Sequence, residues 1–296
     1  MNNLVKKVLY LTTLFFILSI QTPAFASTNN HISIESVAKA ISTIQKYHVK
    51  LTTKIYPPSA SDVKPNLPDD FDPNRFMEIT TEVFGESAKK MKIITHMELA
   101  ETGTETENEL IFDGTWLWVQ QKVIKAPKME AKSPMISAVK IHIPSVSPNP
   151  EKEPFNTIYG VSGTGLYRYN DLPGTLFKLI QDYDLKTVTN SKNTLFAGTK
   201  KPNQQGTGEE VAIKKLHEFI DRSTNYCKLW VSKDTQLIDA YSVGKSEEIP
   251  AMHTRIEYIS VNKELPDNIF TYVPPVNVVV KDVTSAILEK AERYKK

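Results

Sequence analysis

Apolar residues at helical spacing open the region that follows the first thirty residues. Over residues 34–47 they recur at intervals of three and four, so they share one helical face: Ile34, Val37, Ala38, Ile41 and Ile44. Ser33 stands before them as an N-cap, and Glu35 adds negative charge to the first turn. The pattern predicts an amphipathic helix over residues 34–47, followed by a strand over residues 48–55.

Most of the remaining chain alternates apolar and polar residues, which is typical of strands. In residues 91–99 the polar positions include Lys92, His96 and Glu98, and they alternate with an apolar set: Met91, Ile93, Met97 and Leu99. A period of two places one set against a core and the other in water. Further strands are predicted over residues 110–112, 116–119, 135–143, 185–197, 226–232, 237–243 and 252–261. Asp113-Gly114 predicts a hairpin turn, and the strand after it carries Trp116 and Trp118 on one side.

Helices are fewer, and two proline clusters interrupt the pattern. Helices are predicted over residues 173–182, 208–223 and 284–296, the first opened by Pro173. They do not alternate regularly with strands, which disfavours a doubly wound parallel fold and favours an α+β fold on a curled antiparallel sheet. The proline density at residues 57–73 and 144–154 excludes regular structure. We interpret both as loop insertions into a single domain over residues 27–296, while the length also permits two domains.

The end of the chain has its own pattern, Leu265-Pro-Asp followed by Phe270-Thr-Tyr, Pro274-Pro275 and a valine run to Asp282. Proline has no backbone donor for a ladder, so a double proline belongs at a sheet edge or between strands. The pattern predicts a short aromatic strand separated by the prolines from a valine-rich terminal strand.

The first 26 residues have the features of an export signal. Lys6 and Lys7 precede an apolar core at residues 8–20 that is short for a membrane span, and residues 24–26, Ala-Phe-Ala, form a cleavage site. No Cys follows the core, as a lipid anchor would require. We therefore predict a soluble periplasmic protein cleaved after Ala26; an uncleaved anchor is the alternative.

Charge and cysteine content exclude some partners and cross-links. Of 36 basic residues, two lie in the signal, which leaves 34 against 34 acidic residues in the mature chain. Without an excess of positive charge, nucleic acid is not a predicted partner. Cys227 is the single cysteine, so no internal disulfide forms, and a buried position in a strand is predicted for it.

No catalytic or metal-binding pattern is complete. His217-Glu218 lacks the second histidine of a zinc-protease helix, and the six histidines lack ligand spacing. Residues 160–165 place Thr164 where a nucleophile elbow needs glycine, so a hydrolase acting through Ser162 is only a third hypothesis. The sequence therefore predicts no enzyme, metal or cofactor.

Apolar and aromatic residues are the stronger candidates for a binding surface. They are either core or the concave wall of a cavity for an apolar ligand, and methionine suits a cavity because it adapts to varied chains. The candidates are Met91, Ile93, Met97, Leu99, Trp116, Trp118, Trp230, Ile41, Leu176 and Ile180.

Five blocks, in order, resemble the LolA-like carriers of outer-membrane lipoproteins. They are the helix after the signal, the hairpin at residues 110–119, the proline-initiated helix at 172–180, the hairpin at 229–240 and the end at 270–282. The family has an Arg-Pro pair before the hairpin, whereas this chain has Ala88-Lys89-Lys90-Met91, so the arginine's lid-locking role is not transferred.

The resemblance implies an open half-barrel, a curved antiparallel sheet whose concave face is covered by helices, with a cavity for acyl chains. It implies a monomeric periplasmic lipid- or lipoprotein-binding carrier whose partner is a lipid or an acylated lipoprotein. The alternative is a protein–protein module of the sigma-factor regulatory type, with an envelope membrane protein as partner and the proline-rich loops as contacts.

Overall fold

The computed structural model describes residues 32–56, 77–86, 90–99, 103–126, 134–143, 157–162, 165–188, 194–202 and 224–293. The predicted signal peptide, both proline-rich loops and the predicted helix over residues 208–223 lie outside these ranges. The helices are α1 (Ile34–Ser42), α2 (Leu172–Asp182) and α3 (Thr284–Arg293). The strands are β1 (Lys46–Ile55), β2 (Met77–Glu86), β3 (Lys90–Leu99), β4 (Thr104–Phe112), β5 (Trp116–Lys125), β6 (Met135–His142), β7 (Thr157–Ser162), β8 (Gly165–Asn170), β9 (Tyr183–Val188), β10 (Thr194–Lys200), β11 (Tyr226–Val231), β12 (Ile238–Gly244), β13 (Pro250–Val261) and β14 (Val280–Asp282).

Twelve of the strands form one curved, open sheet in the order β14-β6-β5-β4-β3-β2-β1-β13-β12-β11-β10-β9. All neighbours are antiparallel except β14, which runs parallel to β6 at the edge. β7 and β8 form a separate hairpin. The predicted α+β half-barrel with a curved antiparallel sheet is confirmed.

Strand register sorts the side chains of β1–β6 onto two faces of different chemistry. Directly paired residues share a face, so one face is traced from Val49 through Val83 and Ile93 to Leu110, Val119 and Val139. We call it the uncharged face, because none of its positions in β1–β6 holds Lys, Arg, His, Asp or Glu. A segregation this complete indicates that part of this face packs against apolar material.

The opposite side of β1–β6, which we call the charged face, carries cross-strand pairs of basic and acidic side chains. Lys92 Nζ lies 2.7 Å from Glu109 Oε1, and His48 Nε2 lies 2.6 Å from Glu82 Oε1. Lys122 adds a longer contact of 3.6 Å to Glu107. These pairs are partly exposed, so each adds at most about 1 kcal/mol.

The helices lie on the uncharged face. Val283 and Ile287 of the C-terminal region pack against Phe112, Leu117 and Ile141, which are register partners on that face. At the start of β1, α2 approaches the buried Tyr47, whose phenol interacts with the backbone of Leu172. Helix α1 packs in turn on α2. The helices are thus on one side of the sheet, as predicted, and that side is the one without charged residues.

Helix α1 begins as predicted and ends early. Ser33 accepts the backbone N–H of Ser36 at 3.2 Å, which confirms the N-cap. The helix predicted to Tyr47 stops at Ser42, and Lys46 is already paired in β1. The cause is Asn262 at the end of β13: its Oδ1 accepts the N–H of Gln45 at 2.8 Å, so the chain turns out of the helix there.

Two strand predictions need correction, and one buried residue is confirmed. The stretch predicted as one strand over residues 185–197 is the antiparallel pair β9 and β10. The aromatic strand predicted over residues 270–272 is absent, and Val280–Asp282 is the only strand after β13 in the described residues. Tyr272 stacks on Trp118 instead of joining a ladder. Cys227 is fully buried as predicted, and burial raises the pKa of its thiol to about 12, which keeps it unreactive.

Candidate functional site: the uncharged face

The ten candidate residues divide among three places. Met91, Ile93, Met97 and Leu99 occupy positions of the uncharged face on β3. Ile41 and Leu176 are buried in α1 and α2, and Ile180 is half-buried in α2: these belong to the helices. The third group sits on the opposite side of the sheet: Trp116, Trp118 and Trp230. The set therefore does not line one surface, although Trp116 and Trp118 share a side as predicted, with ring centroids 6.2 Å apart.

An apolar row crosses the uncharged face through six neighbouring strands. Val49 and Val83 are buried at its β1–β2 end. The row continues half-buried through Ile93, Leu110, Val119 and Val139. At a spacing of about 4.8 Å, five strand intervals extend over roughly 24 Å. Because these side chains are neither fully packed nor fully exposed, the row is a surface that can accept an elongated apolar ligand.

A cavity continues this row beyond β1. Val49 pairs with Tyr258, and Leu51 pairs with Ile256. Tyr258 and Ile256 both line a cavity of about 420 Å³. That volume lies within the range of small-molecule sites. The remaining lining residues are Ser232, Thr235, Leu237, Asp239, Ile259, Ser260, Val261 and Lys263.

Two polar groups give the cavity its electrostatic character. The Tyr258 hydroxyl donates to the carbonyl oxygen of Ile238 at 3.0 Å, and burial raises its pKa above the ordinary range, so it stays neutral. Burial also raises the pKa of Asp239, an effect opposed by nearby Arg255. Asp239 and Lys263 give the lining one charged residue of each sign, and its mostly apolar surface suits an apolar ligand.

A second set of positions on the uncharged face escaped the sequence analysis. One row down from the valines, β2–β6 present polar but uncharged side chains in register: Thr81, Thr95, Asn108, Gln121 and Ser137. The signal was present in the sequence, because these residues fall in the apolar phase of each strand. Beside Asn108, Thr106 is buried and its Oγ1 has no hydrogen-bond partner.

The tryptophans of the charged face hold the C-terminal segment. Trp118 and Tyr272 stack with centroids 5.1 Å apart, and the Tyr272 hydroxyl donates to Gln120 Oε1 at 3.0 Å. Lys140 Nζ lies 4.4 Å from the centroid of Trp116, a cation–π contact. This cluster is an anchor that lets the chain cross the charged face before β14 reaches the edge of the sheet.

Tyr272→Ala is expected to lower the free energy of unfolding by about 2 kcal/mol, because stacking and a partly buried hydrogen bond are both lost. Tyr272→Phe keeps the stack and should cost only about 1 kcal/mol. Val273 is 77% exposed, and its replacement by alanine is the neutral control. Urea unfolding measures all three; equal values for Tyr272→Ala and Val273→Ala would contradict the anchor.

The described residues show no constellation for catalysis or metal binding. No group of three or more His, Cys, Asp or Glu side chains in these ranges could hold a metal ion. Ser162 ends β7 and opposes Gly165 in a hairpin, whereas a nucleophile elbow requires a strand leading into a helix. None of the helices in the described ranges is long and apolar enough to span a bilayer.

Comparison with known proteins finds only distant structural likeness. No protein-family model matches the chain, and no curated protein is significantly similar to it. A MucA/MucB complex of Pseudomonas aeruginosa is 13% identical, with 80% of this chain covering 58% of that chain at a TM-score of 0.28. This chain thus spans little more than half the length of that structure.

Two further solved structures match more of their own length. A LolA superfamily protein from Nitrosomonas europaea is 13% identical, with 81% and 98% of the two chains covered and a TM-score of 0.27. An outer membrane lipoprotein-sorting protein domain from Vibrio parahaemolyticus is 9% identical, with 80% and 94% covered and a TM-score of 0.26. The LolA-like proteins that the sequence blocks resemble are thus among the structures similar to this chain, and its function is inferred from its own residues.

Proposed function

We propose that this protein binds an acyl chain on the uncharged face of its sheet, as an exported lipid- or lipoprotein-binding carrier. The observation that carries the proposal is the complete absence of charged residues from this face across β1–β6. If the sheet packed only against helices, it would need an uncharged surface only beneath those helices. Here the apolar row from Ile93 to Val139 is only half-buried, so it leaves apolar surface for a ligand.

The energetics suit reversible carriage without covalent chemistry. Each methylene buried contributes about 0.8 kcal/mol, so a long acyl chain gains on the order of 10 kcal/mol before ordering costs. The row also runs into the cavity at Ile256 and Tyr258, which extends the apolar path. Release of the acyl chain then requires a partner protein or a conformational change that makes the apolar row unavailable to it.

Two adjacent residues of β3 provide a matched test. Ile93 lies on the apolar row, whereas Ile94 lies on the charged face between its register partners Glu82 and Glu109. Ile93→Lys is expected to weaken binding of a neutral fluorescent probe, N-phenyl-1-naphthylamine, by about tenfold or more, because it places a charge on the apolar row. Ile94→Lys should bind as the wild type does.

Fluorescence titration and native mass spectrometry of the exported protein measure the effect, with circular dichroism as the check of folding. Wild-type protein that takes up neither probe nor lipid, or folded Ile93→Lys that binds normally, would refute acyl binding on this face. The alternative of a protein–protein module rests on the loops at residues 57–73 and 144–154, outside the described residues, and stays a prediction.

A further inference from the structure

A band of hydrogen-bonding side chains crosses the otherwise apolar uncharged face. We call it the polar row; it consists of Thr81, Thr95, Asn108, Gln121 and Ser137, one on each strand from β2 to β6. The valine-containing row borders it on one side. On the other side lie Ile79, Met97 and Val123. Amides and hydroxyls between two apolar rows are poorly suited to helix packing alone.

The polar row keeps its hydrogen-bonding capacity available. Thr81 and Thr95 have hydroxyl oxygens 3.5 Å apart, at the limit of a hydrogen bond. In the part of the chain that the structure describes, the amides of Asn108 and Gln121 make no side-chain hydrogen bond. Asn108 is half-buried and Gln121 exposed, so both can meet a ligand.

Thr106 gives an independent sign of a missing partner. Its side chain is only 7% exposed, and Oγ1 is the one buried side-chain polar atom without a hydrogen-bond partner in the described residues. It lies two residues before Asn108 on β4, on the same face, between register partners Met97 and Val123. A buried hydroxyl without a partner destabilises the fold, so such groups in native proteins call for an explanation.

The charge of this face limits what the missing partner can be. No position of the uncharged face in β1–β6 offers a cation to a carboxylate or a phosphate, or an anion to an amine. Moving an ion to such a surface without a counter-charge is strongly unfavourable. Neutral carbonyl and hydroxyl groups, in contrast, match amide and hydroxyl side chains.

We propose that the polar row recognises the neutral ester and hydroxyl groups of an acylglycerol, whose acyl chain lies along the neighbouring apolar row. The inference rests on the proposed function, because it assigns the ligand class of the same surface. Thr106 and Asn108 hydrogen-bond the glycerol end of the ligand, and the lack of charge rejects free fatty acids and anionic phospholipids.

The test is displacement of N-phenyl-1-naphthylamine from the mature full chain by monooleoylglycerol and by oleate, which share one acyl chain. Monooleoylglycerol is expected to compete roughly tenfold better. Asn108→Leu should remove most of this preference. Thr106→Val should raise the melting temperature of the free protein and weaken the binding of monooleoylglycerol severalfold. Thr80→Val is the control, because Thr80 is next to Thr81 in the chain but lies on the charged face. It should change neither the melting temperature nor the binding of monooleoylglycerol.

The outcomes separate this inference from the proposed function. Failure of the probe and both lipids to bind overturns the proposed function and this inference together. Probe binding with equal competition by oleate and monooleoylglycerol overturns only the recognition of acylglycerols. A preference that persists in folded Asn108→Leu and Thr106→Val overturns the recognition of the glycerol end by Asn108 and Thr106, while a preference lost in both supports it.

Discussion

Gly85→Ala is expected to lower the free energy of unfolding by about 2 to 3 kcal/mol, a large effect for one methyl group. Gly85 and Tyr47 are direct register partners, and a Cβ at residue 85 would meet the Tyr47 ring. Tyr47 cannot move aside easily, because it is 2% exposed and lies beneath the start of α2, where it meets the backbone of Leu172. The close approach of ring to backbone thus requires glycine.

A double-mutant cycle isolates this contact. Tyr47→Leu removes the ring atoms that the new methyl group would meet, so Gly85→Ala should cost roughly 1 kcal/mol or less in that background. Chemical denaturation of the four proteins measures the coupling. Equal costs of Gly85→Ala with and without the Tyr47 ring would show that the glycine serves another purpose.

Asp171 is expected to make stability depend on pH in an unusual direction. It is the N-cap of α2, accepting the N–H of Gly174 at 2.8 Å, and it is 5% exposed. Burial raises its pKa to about 6, an effect opposed by the hydrogen bond from Gly174. The folded state therefore binds a proton more readily than the unfolded state does, and this carboxyl lowers stability as the pH rises from about 4 through 6.

Asp171→Asn separates the charge from the cap. Asparagine keeps the acceptor for Gly174 and cannot ionise, so the variant should be more stable than the wild type by about 1 to 3 kcal/mol near pH 8. Below about pH 4 the difference should vanish, because both side chains are then neutral. Thermal unfolding across this range measures the change.

The matched variant Asp171→Ala removes the acceptor as well as the charge. It should fall below Asp171→Asn by about 1 kcal/mol at every pH, the ordinary worth of an N-cap. A stability difference between Asp171→Asn and the wild type that is the same at both ends of the pH range would contradict a buried, ionising Asp171.

Local signals in the sequence predicted the elements that depend on neighbouring residues. Asp113 accepts backbone N–H groups of Thr115 and Trp116, and Gly114 has a φ of 101°, so the predicted hairpin turn forms from its own residues. Likewise Ser33 caps α1 from within the helix. Alternation also placed Met91, Ile93 and Met97 on one side of β3.

What escaped prediction depends on partners far along the chain. The end of α1 is set by Asn262, and Tyr272 stacks on Trp118, far along the chain, instead of joining a strand. Period two shows which residues share a side within one strand, but not which sides of two strands coincide. For that reason the sequence does not show that Trp116 and Trp118 lie on the face opposite to Met91, as the register places them.

The pairing of β1 with both β2 and β13 has a consequence for how the chain reaches its native state. β1–β6 and β9–β13 are each built from sequential neighbours, but the seam between these halves joins residues such as Thr53 and Thr254, 201 residues apart. Closing so long a loop is slow, because its entropic cost precedes the contacts that repay it. Until β13 arrives, β1 presents an open strand edge, and a newly synthesised chain is most prone to aggregation during that interval.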